Sequence, residues 1–186
     1  MKFNLIYPDP PWWYNFSKSK KRKVKYRCEK TEEMCSWPVQ EILKDDALCF
    51  MWATWPKLKD AIALMEAWGF EYITCAFVWR KMTSTGKDEF GLGHYTRGST
   101  EMVLLGKRGK GLPRKSNSVR QIIHAQIGKD TSKPKEVAER IDKLVGPDIF
   151  KLEMFARRKA NSTWMATGLE YDGMTLVESI EYFKNL

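Results

Sequence analysis

The chain alternates between two hydrophobic periods, which predicts strands interleaved with helices. The clearest helix is predicted over residues 57–68, where apolar residues recur at the helical period and charged residues fall off that stripe. Gly69 then ends the helix. The apolar stripe consists of Leu58, Ala61, Ile62 and Met65. Such a stripe is typical of core packing and by itself indicates no function.

Short runs rich in aliphatic and aromatic residues predict the strands. They lie at 3–7, 47–54, 70–80, 101–106, 120–127, 149–155 and about 163–166. Further helical segments are predicted to start at Thr31, over 38–43, and from Lys133-Pro134 to Val145, and an amphipathic segment over 176–183 closes the chain. Strands alternating with helices specify the α/β class, with helices on both faces of one sheet.

The length of 186 residues and the 43% hydrophobic content fit one domain spanning 1–186. Three polar or basic segments, 13–30, 83–99 and 107–118, are expected to be mobile loops that contact substrate. No apolar run reaches the length of a membrane span, and no signal-peptide core precedes the first strand. We therefore expect a soluble, cytoplasmic protein without a membrane partner.

The formal net charge of +9 indicates a polyanionic partner, of which nucleic acid is the obvious candidate. Lysines and arginines cluster at 18–27, 107–120 and 157–159. The four cysteines are irregularly spaced and form no C-x-x-C pair, so free thiols are expected and no metal site is predicted.

The segment with the clearest chemical potential is Asp9-Pro10-Pro11-Trp12, directly after the first predicted strand and Pro8. A strand halted by prolines places its last side chains at the carboxyl edge of the sheet, where open α/β sheets bind ligands. Asp9 and the Pro10 carbonyl offer two acceptors, and Trp12 offers an aromatic plate. A flat base with an exocyclic amine would suit this arrangement, and two acceptors would favour the pyramidal nitrogen of methyl transfer. The alternative is a proline-rich turn with a structural tryptophan.

Four ordered blocks together resemble the class β adenine N6-methyltransferases of the MT-A type, the family of the subunit that writes m6A in eukaryotic messenger RNA. The blocks are Asp9-Pro10-Pro11-Trp12, the run from Gly93 to Gly109, Ser132-Lys133-Pro134 and the run from Leu152 to Arg157. The resemblance implies a Rossmann-like, mostly parallel sheet that binds S-adenosylmethionine. Bacterial and phage members are similar to this chain in size, so the resemblance places the protein in a bacterial or phage-infected cell.

The resemblance also implies roles for individual residues. The catalytic residues would be Asp9, Pro10, Pro11 and Trp12. S-adenosylmethionine would contact Pro8, Asp9, Lys133, Glu153, Phe155, Arg157 and Glu170, with Lys133 at its carboxylate and Glu153 and Arg157 near its ribose. The extruded adenine and its strand would contact Trp12, Tyr26, Tyr95, Arg97, Glu101, Lys107 and Arg108.

Two positions depart from the family pattern. Gly168-Leu169-Glu170 stands where the family has G-N-E or G-N-Q, so an amide contact is lost, and Arg97 stands where an asparagine is common. DNA is the expected substrate, because the chain lacks the appended RNA-binding domain of messenger-RNA writers. An RNA methyltransferase, a nucleic-acid-binding subunit of a heteromeric enzyme, and a homodimer remain alternatives.

Overall fold

The computed structural model describes residues 1–14, 27–91, 93–128 and 132–186. Tyr26 and most of the predicted loop 13–30 lie outside these ranges. The elements are β1 (Phe3–Pro8), α1 (Thr31–Cys35), a 3-10 turn (Val39–Ile42), β2 (Leu43–Ala53), a 3-10 turn (Trp55–Lys57), α2 (Leu58–Ala67), β3 (Glu71–Met82), β4 (Thr100–Arg108), β5 (Ile122–Gln126), α3 (Lys135–Val145), β6 (Lys151–Met154), β7 (Met165–Thr167) and α4 (Leu176–Lys184).

The seven strands form one sheet in the order β5-β3-β4-β2-β1-β6-β7. β4 is antiparallel to both of its neighbours, and the other four pairings are parallel. The carboxyl ends of six strands and the amino end of β4 therefore meet at one edge of the sheet, called the carboxyl edge below. The prediction of a mostly parallel α/β sheet is confirmed.

Both faces of the sheet are covered by helices. Successive residues of β2 alternate between the two hydrophobic clusters: Phe50 packs on the side of α3, and Met51 packs on the side of α1, α2 and α4. Because β2 is buried on both faces, its inner half is a continuous apolar run instead of an alternating one. The prediction of helices on both faces is also confirmed.

The boundaries of two elements along the chain differ from the prediction. β2 begins at Leu43 instead of Ala47, and the helical piece predicted over 38–43 is a 3-10 turn that ends at Ile42. The hydrophobic pattern missed the first residues of β2 because Asp45 and Asp46 are exposed, although this segment has strand geometry. Strand pairing uses the backbone, so polar residues at the margin of a sheet do not prevent it.

Candidate active site

The turn after β1 is fixed by backbone hydrogen bonds. The amide of Asp9 donates to the carbonyl of Met154 (3.3 Å), which joins the turn to β6. The amide of Trp12 donates to the Pro10 carbonyl (2.8 Å). One lone pair of that carbonyl is thus used within the turn, and the second is left for a ligand. The two prolines hold the backbone dihedral φ, so Asp9 lies in a set position at the carboxyl edge.

Trp12 does not offer the open stacking plate that the sequence suggested. Its side chain is 5% exposed and lies in the core on the α2 side of the sheet. Its indole N–H donates to the carbonyl of Trp52 (3.3 Å). Trp12 therefore anchors the turn to β2, and the amphipathic ring satisfies its one donor inside the core.

A chain of charges joins four elements beside this turn. The Lys133 ammonium lies 2.9 Å from the Asp9 carboxylate and 3.3 Å from that of Glu101. The second oxygen of Glu101 accepts from Lys81. Lys133 precedes α3, Glu101 lies near the amino end of β4, and Lys81 lies near the carboxyl end of β3. Asp9 and Lys133 are 124 residues apart in the sequence and are adjacent in the fold.

The charges of this group are mutually stabilised despite partial burial. Burial alone would raise the pKa of Glu101, but Lys133 and Lys81 more than offset this effect, so its pKa is lowered. Burial alone would lower the pKa of Lys133, but Asp9 and Glu101 raise it well above its usual range. Glu101 and Lys133 are therefore ionised at neutral pH. Lys81 was missed by sequence reasoning, because strand direction places it beside Glu101 and no local pattern reveals that.

Glu153 lies on β6, the strand next to β1, and faces the same edge. It pairs with Tyr7 in the register of the two strands. The amide of Ala160 donates to its carboxylate (2.6 Å). Burial raises the pKa of Glu153 to about 7, with a further contribution from Asp9. The carboxylate is therefore a poorly solvated acceptor, as a group that receives ligand hydroxyls would be.

Three more of the expected cofactor residues are grouped after β6 and β7. Arg157 and Glu170 form an ion pair (3.2 Å) that joins the two segments. Phe155 has a φ of 62°, the left-handed region that aromatic residues rarely adopt, and its ring packs 6.1 Å from that of Trp37. Pro8 is the last residue of β1 and pairs with Met154. The residues expected to hold the cofactor thus lie around the ends of β1, β6 and β7.

The residues expected to bind substrate are not all brought together. Lys107 and Arg108 belong to β4, not to a loop, and because β4 is antiparallel they lie at the opposite edge of the sheet from Asp9. Tyr95 is fully exposed on the β3–β4 connection, and Arg97 there stacks on Phe90 with 4.5 Å to the ring centroid. Of these five residues, only Glu101 lies within the charge network.

In the described part of the chain, no group of three or more histidines, cysteines or acidic residues is placed to hold a metal ion. No helix among the described residues is long and apolar enough to cross a membrane. The four cysteines, all within the described residues, form no disulfide.

Comparison with known proteins agrees with this geometry. The MT-A70 family model matches residues 3–170. The chain belongs to the MT-A70 family. It is 38% identical to the Type II methyltransferase M.MunI of Mycoplasma sp over 91% of this chain and 78% of that protein. It is 26% identical to the N(6)-adenosine-methyltransferase MT-A70-like protein of Drosophila melanogaster and 24% identical to the human N(6)-adenosine-methyltransferase catalytic subunit METTL3.

These two eukaryotic relatives are matched over 95% of this chain but over only 28% and 30% of their own lengths. The chain therefore corresponds to a part of each of them. Membership of the MT-A70 family makes this protein an N6-adenine methyltransferase with a Rossmann-like α/β fold. The resemblance stated from the four sequence blocks is confirmed.

The raised pKa of Glu153 predicts a pH dependence of stability in this MT-A70 protein. Between pH 4.5, its usual pKa, and pH 7, the unfolded chain releases this proton before the folded chain does. Glu153 therefore stabilises the fold most when protonated, and its contribution falls as the pH rises, until the loss is complete above pH 7. The loss should be at most about 3 kcal/mol.

The measurement is urea denaturation of the wild type and of Glu153→Gln at pH 5 and pH 8. Glutamine is neutral throughout and keeps an acceptor for the Ala160 amide. The free energy of unfolding of Glu153→Gln, relative to that of the wild type, should be higher at pH 8 than at pH 5. A difference that is the same at both pH values would contradict the burial of an ionisable Glu153.

Gly168 is predicted to tolerate no side chain. A Cβ at this position would lie 2.5 Å from both the amide nitrogen and the carbonyl oxygen of Ala156. These are backbone atoms, and the Ala156 amide is held in place by the hydrogen bond that it donates to the Thr167 carbonyl (2.9 Å). Gly168→Ala should lower the free energy of unfolding by about 1–3 kcal/mol, measured by chemical denaturation.

Gly173→Ala is the matched control for this change. A Cβ at Gly173 would meet nothing within 4 Å, so only its φ of +79° opposes the substitution, at about 1 kcal/mol. If the Gly168 variant were as stable as the Gly173 variant, the close approach of Gly168 to the Ala156 backbone would not limit the residue at this position.

Proposed function

We propose that this MT-A70 protein transfers the methyl group of S-adenosylmethionine to N6 of an adenine in DNA. The observation that carries the proposal is the charge network of Asp9, Lys133 and Glu101, assembled at the carboxyl edge from the turn after β1, the segment before α3, and β4. The catalytic domain is proposed to span residues 1–186.

The residues at this edge fit S-adenosylmethionine in charge and in hydrogen-bonding capacity. Asp9 would accept from the ammonium of its methionine part, and Lys133 would pair with its carboxylate. Glu153 would accept from the ribose hydroxyls, with Arg157, Phe155 and Glu170 close by. Among the described residues, two buried polar atoms lack a hydrogen-bond partner, the Tyr7 hydroxyl and the Trp52 indole nitrogen. Both belong to strands that end at this edge, so a polar ligand or ordered water there would satisfy them.

When bound, S-adenosylmethionine supplies an electrophilic methyl group on a positively charged sulfur. The protein's task is to present the adenine amine to it in line. The Asp9 carboxylate and the free lone pair of the Pro10 carbonyl would accept the two amine hydrogens, which favours a pyramidal nitrogen whose lone pair points out of the plane of the ring. Pro11 carries no amide hydrogen, so it cannot compete for these acceptors. Asp9 also provides an acceptor for the proton that leaves N6 after transfer.

DNA is favoured as the substrate by the relative that is matched over most of both chains. M.MunI carries the name of a Type II methyltransferase, and enzymes of that type modify DNA. The formal net charge of +9 suits phosphate contacts. A base inside a duplex must be extruded before its amine can reach Asp9, so loosely paired sites should react fastest. Such an enzyme would work in the cytoplasm, where bacterial DNA lies.

RNA is the second candidate, supported by the matches to the N(6)-adenosine-methyltransferases over 95% of this chain. A role as one subunit of a heteromeric methyltransferase, or as a homodimer, is compatible with either substrate. The human relative is named a catalytic subunit, which motivates testing for a partner chain.

The test is transfer of radiolabelled methyl groups from S-adenosylmethionine to unmethylated genomic DNA and to RNA transcribed from it, followed by nucleoside analysis. Genomic DNA contains every short recognition sequence, so the test does not depend on knowing the site. N6-methyladenine in DNA alone supports the proposal. Methylation of RNA alone would replace DNA by RNA, and transfer to neither would overturn the proposal for the isolated chain.

A further inference from the structure

The carboxylate of Asp142, on α3, contacts three donors from one neighbouring part of the chain. The Lys151 ammonium, at the start of β6, lies 3.1 Å from it. The Trp164 indole N–H (2.9 Å) and the side-chain amide of Asn161 (2.6 Å) donate to its two oxygens. Asp142 therefore joins α3 both to β6 and to residues 155–164, which connect β6 to β7 and are called the β6–β7 segment below.

These contacts are shielded from water and have a fixed direction. The Lys151 side chain is only 2% exposed, and its other acceptor is the Pro147 carbonyl (3.0 Å), so its charge depends on Asp142. The side-chain oxygen of Asn161 accepts from the amide and the hydroxyl of Thr163 (3.0 and 2.9 Å). The NH2 group of Asn161 is thereby turned toward Asp142. Two directed hydrogen bonds thus hold the β6–β7 segment against α3, in addition to the ion pair.

The β6–β7 segment in turn holds Glu153. Ala160, which immediately precedes Asn161, donates its amide to the Glu153 carboxylate (2.6 Å). Trp164, at the end of the segment, packs edge-on against Tyr7 with 5.4 Å between the ring centroids. Tyr7 lies opposite Glu153 in the register of β1 and β6. The orientation of the Glu153 carboxylate therefore depends on where the β6–β7 segment is held.

We propose that Asp142 is a positioning residue for cofactor binding, and that it acts on Glu153 through the β6–β7 segment. This inference rests on the proposed function, in which Glu153 accepts from the ribose hydroxyls of S-adenosylmethionine. An acceptor that is already oriented loses less conformational freedom on binding than one that the ligand must first order. Asp142 thus contributes affinity for the cofactor without contacting it.

The experiment compares Asp142→Asn, Asn161→Ala, Lys151→Met and Glu139→Gln with the wild type. Calorimetric titration with S-adenosylhomocysteine measures the affinity of the cofactor site, and urea denaturation measures stability. Asp142→Asn and Asn161→Ala should each lower the affinity at pH 8 by about tenfold. Lys151→Met keeps both contacts between Asp142 and the segment, so it should lower the free energy of unfolding and leave the affinity within about threefold. Glu139→Gln, which changes an exposed acid on the same helix, should match the wild type.

The pH profile of binding separates positioning from a general loss of structure. In the wild type the affinity should rise as Glu153 ionises near pH 7, because an ionised carboxylate is the stronger acceptor. Burial is the largest cause of that raised pKa. Loosening the segment that lies against Glu153 should therefore move the midpoint to lower pH in Asp142→Asn and Asn161→Ala. Asp9 and Arg158 also act on the charge of Glu153, and the variants change neither.

The two loop contacts and the ion pair give different outcomes. The inference is overturned if Asn161→Ala binds S-adenosylhomocysteine with the affinity and the pH profile of the wild type, and this variant decides the matter if Asp142→Asn does not fold. It is also overturned if Lys151→Met weakens binding as much as Asn161→Ala, since the packing of α3 on β6 would then matter instead of the segment. Failure of the proposed function is recognised separately, because the wild type itself would then bind no S-adenosylhomocysteine.

Discussion

Replacing Asp9 by alanine is expected to abolish methyl transfer, with kcat lowered by at least about a thousandfold. The carboxylate is proposed to accept from the adenine amine and from the cofactor's ammonium, so its removal affects both reactants. It also leaves Lys133 with Glu101 as its remaining carboxylate at the site. The measurement is single-turnover methyl transfer to genomic DNA with saturating S-adenosylmethionine.

Two variants make this result specific. Asp148→Ala removes the same charge from an exposed position in the α3–β6 connection, and it should keep wild-type activity. Asp9→Asn keeps one oxygen acceptor and loses the charge, so it should retain more activity than the alanine variant. Full activity of Asp9→Ala would exclude the mechanism proposed here.

Replacing Lys133 by methionine is expected to have the second largest effect, because it acts on both stability and cofactor binding. The Lys133 and Glu101 side chains are only 22% and 14% exposed. Without the ammonium, Glu101 keeps Lys81, while Asp9 loses its cation. We expect the free energy of unfolding to fall by about 2–4 kcal/mol, somewhat less than for a fully buried pair, and the affinity for S-adenosylhomocysteine to fall at least tenfold.

Lys135→Met is the matched control, since Lys135 is an exposed lysine two residues further on, at the first position of α3. Thermal melts with and without S-adenosylhomocysteine measure both effects. The Lys133 variant should melt at a lower temperature and should lose the stabilisation that the ligand gives the wild type. If ligand stabilisation were retained in Lys133→Met, Lys133 would be a structural residue only.

The sequence predicted the parts of the site that depend on local chemistry. A strand stopped by prolines placed Asp9 at the carboxyl edge, and Pro134 marked the start of the helix that follows Lys133. The direct contact between Asp9 and Lys133 was not predicted, because their separate roles came from the resemblance. Periodicity predicts which elements form, but it does not give the distances between side chains of different elements.

Two of the errors have a common physical origin in the direction of β3 and β4. Hydrophobic pattern does not encode strand direction, so Lys107 and Arg108 were expected near the substrate although they lie at the far edge. Lys81 was overlooked for the same reason. Trp12 was misjudged because an indole suits a core as well as an open plate, and the choice depended on the carbonyl of Trp52.

The reversed direction of β4 has a consequence for how this enzyme can diversify. β3 and β4 are antiparallel neighbours, with Arg80 opposite Thr100, so the segment between them is a hairpin that leaves and re-enters the sheet at the carboxyl edge. A parallel pair would have required a crossover packed on the sheet, whose length the core would restrict. A hairpin can be lengthened, shortened or exchanged for another without changing the register of the strands at its base. The fold therefore carries, beside the proposed reaction centre, a segment whose length and sequence can change without altering the sheet.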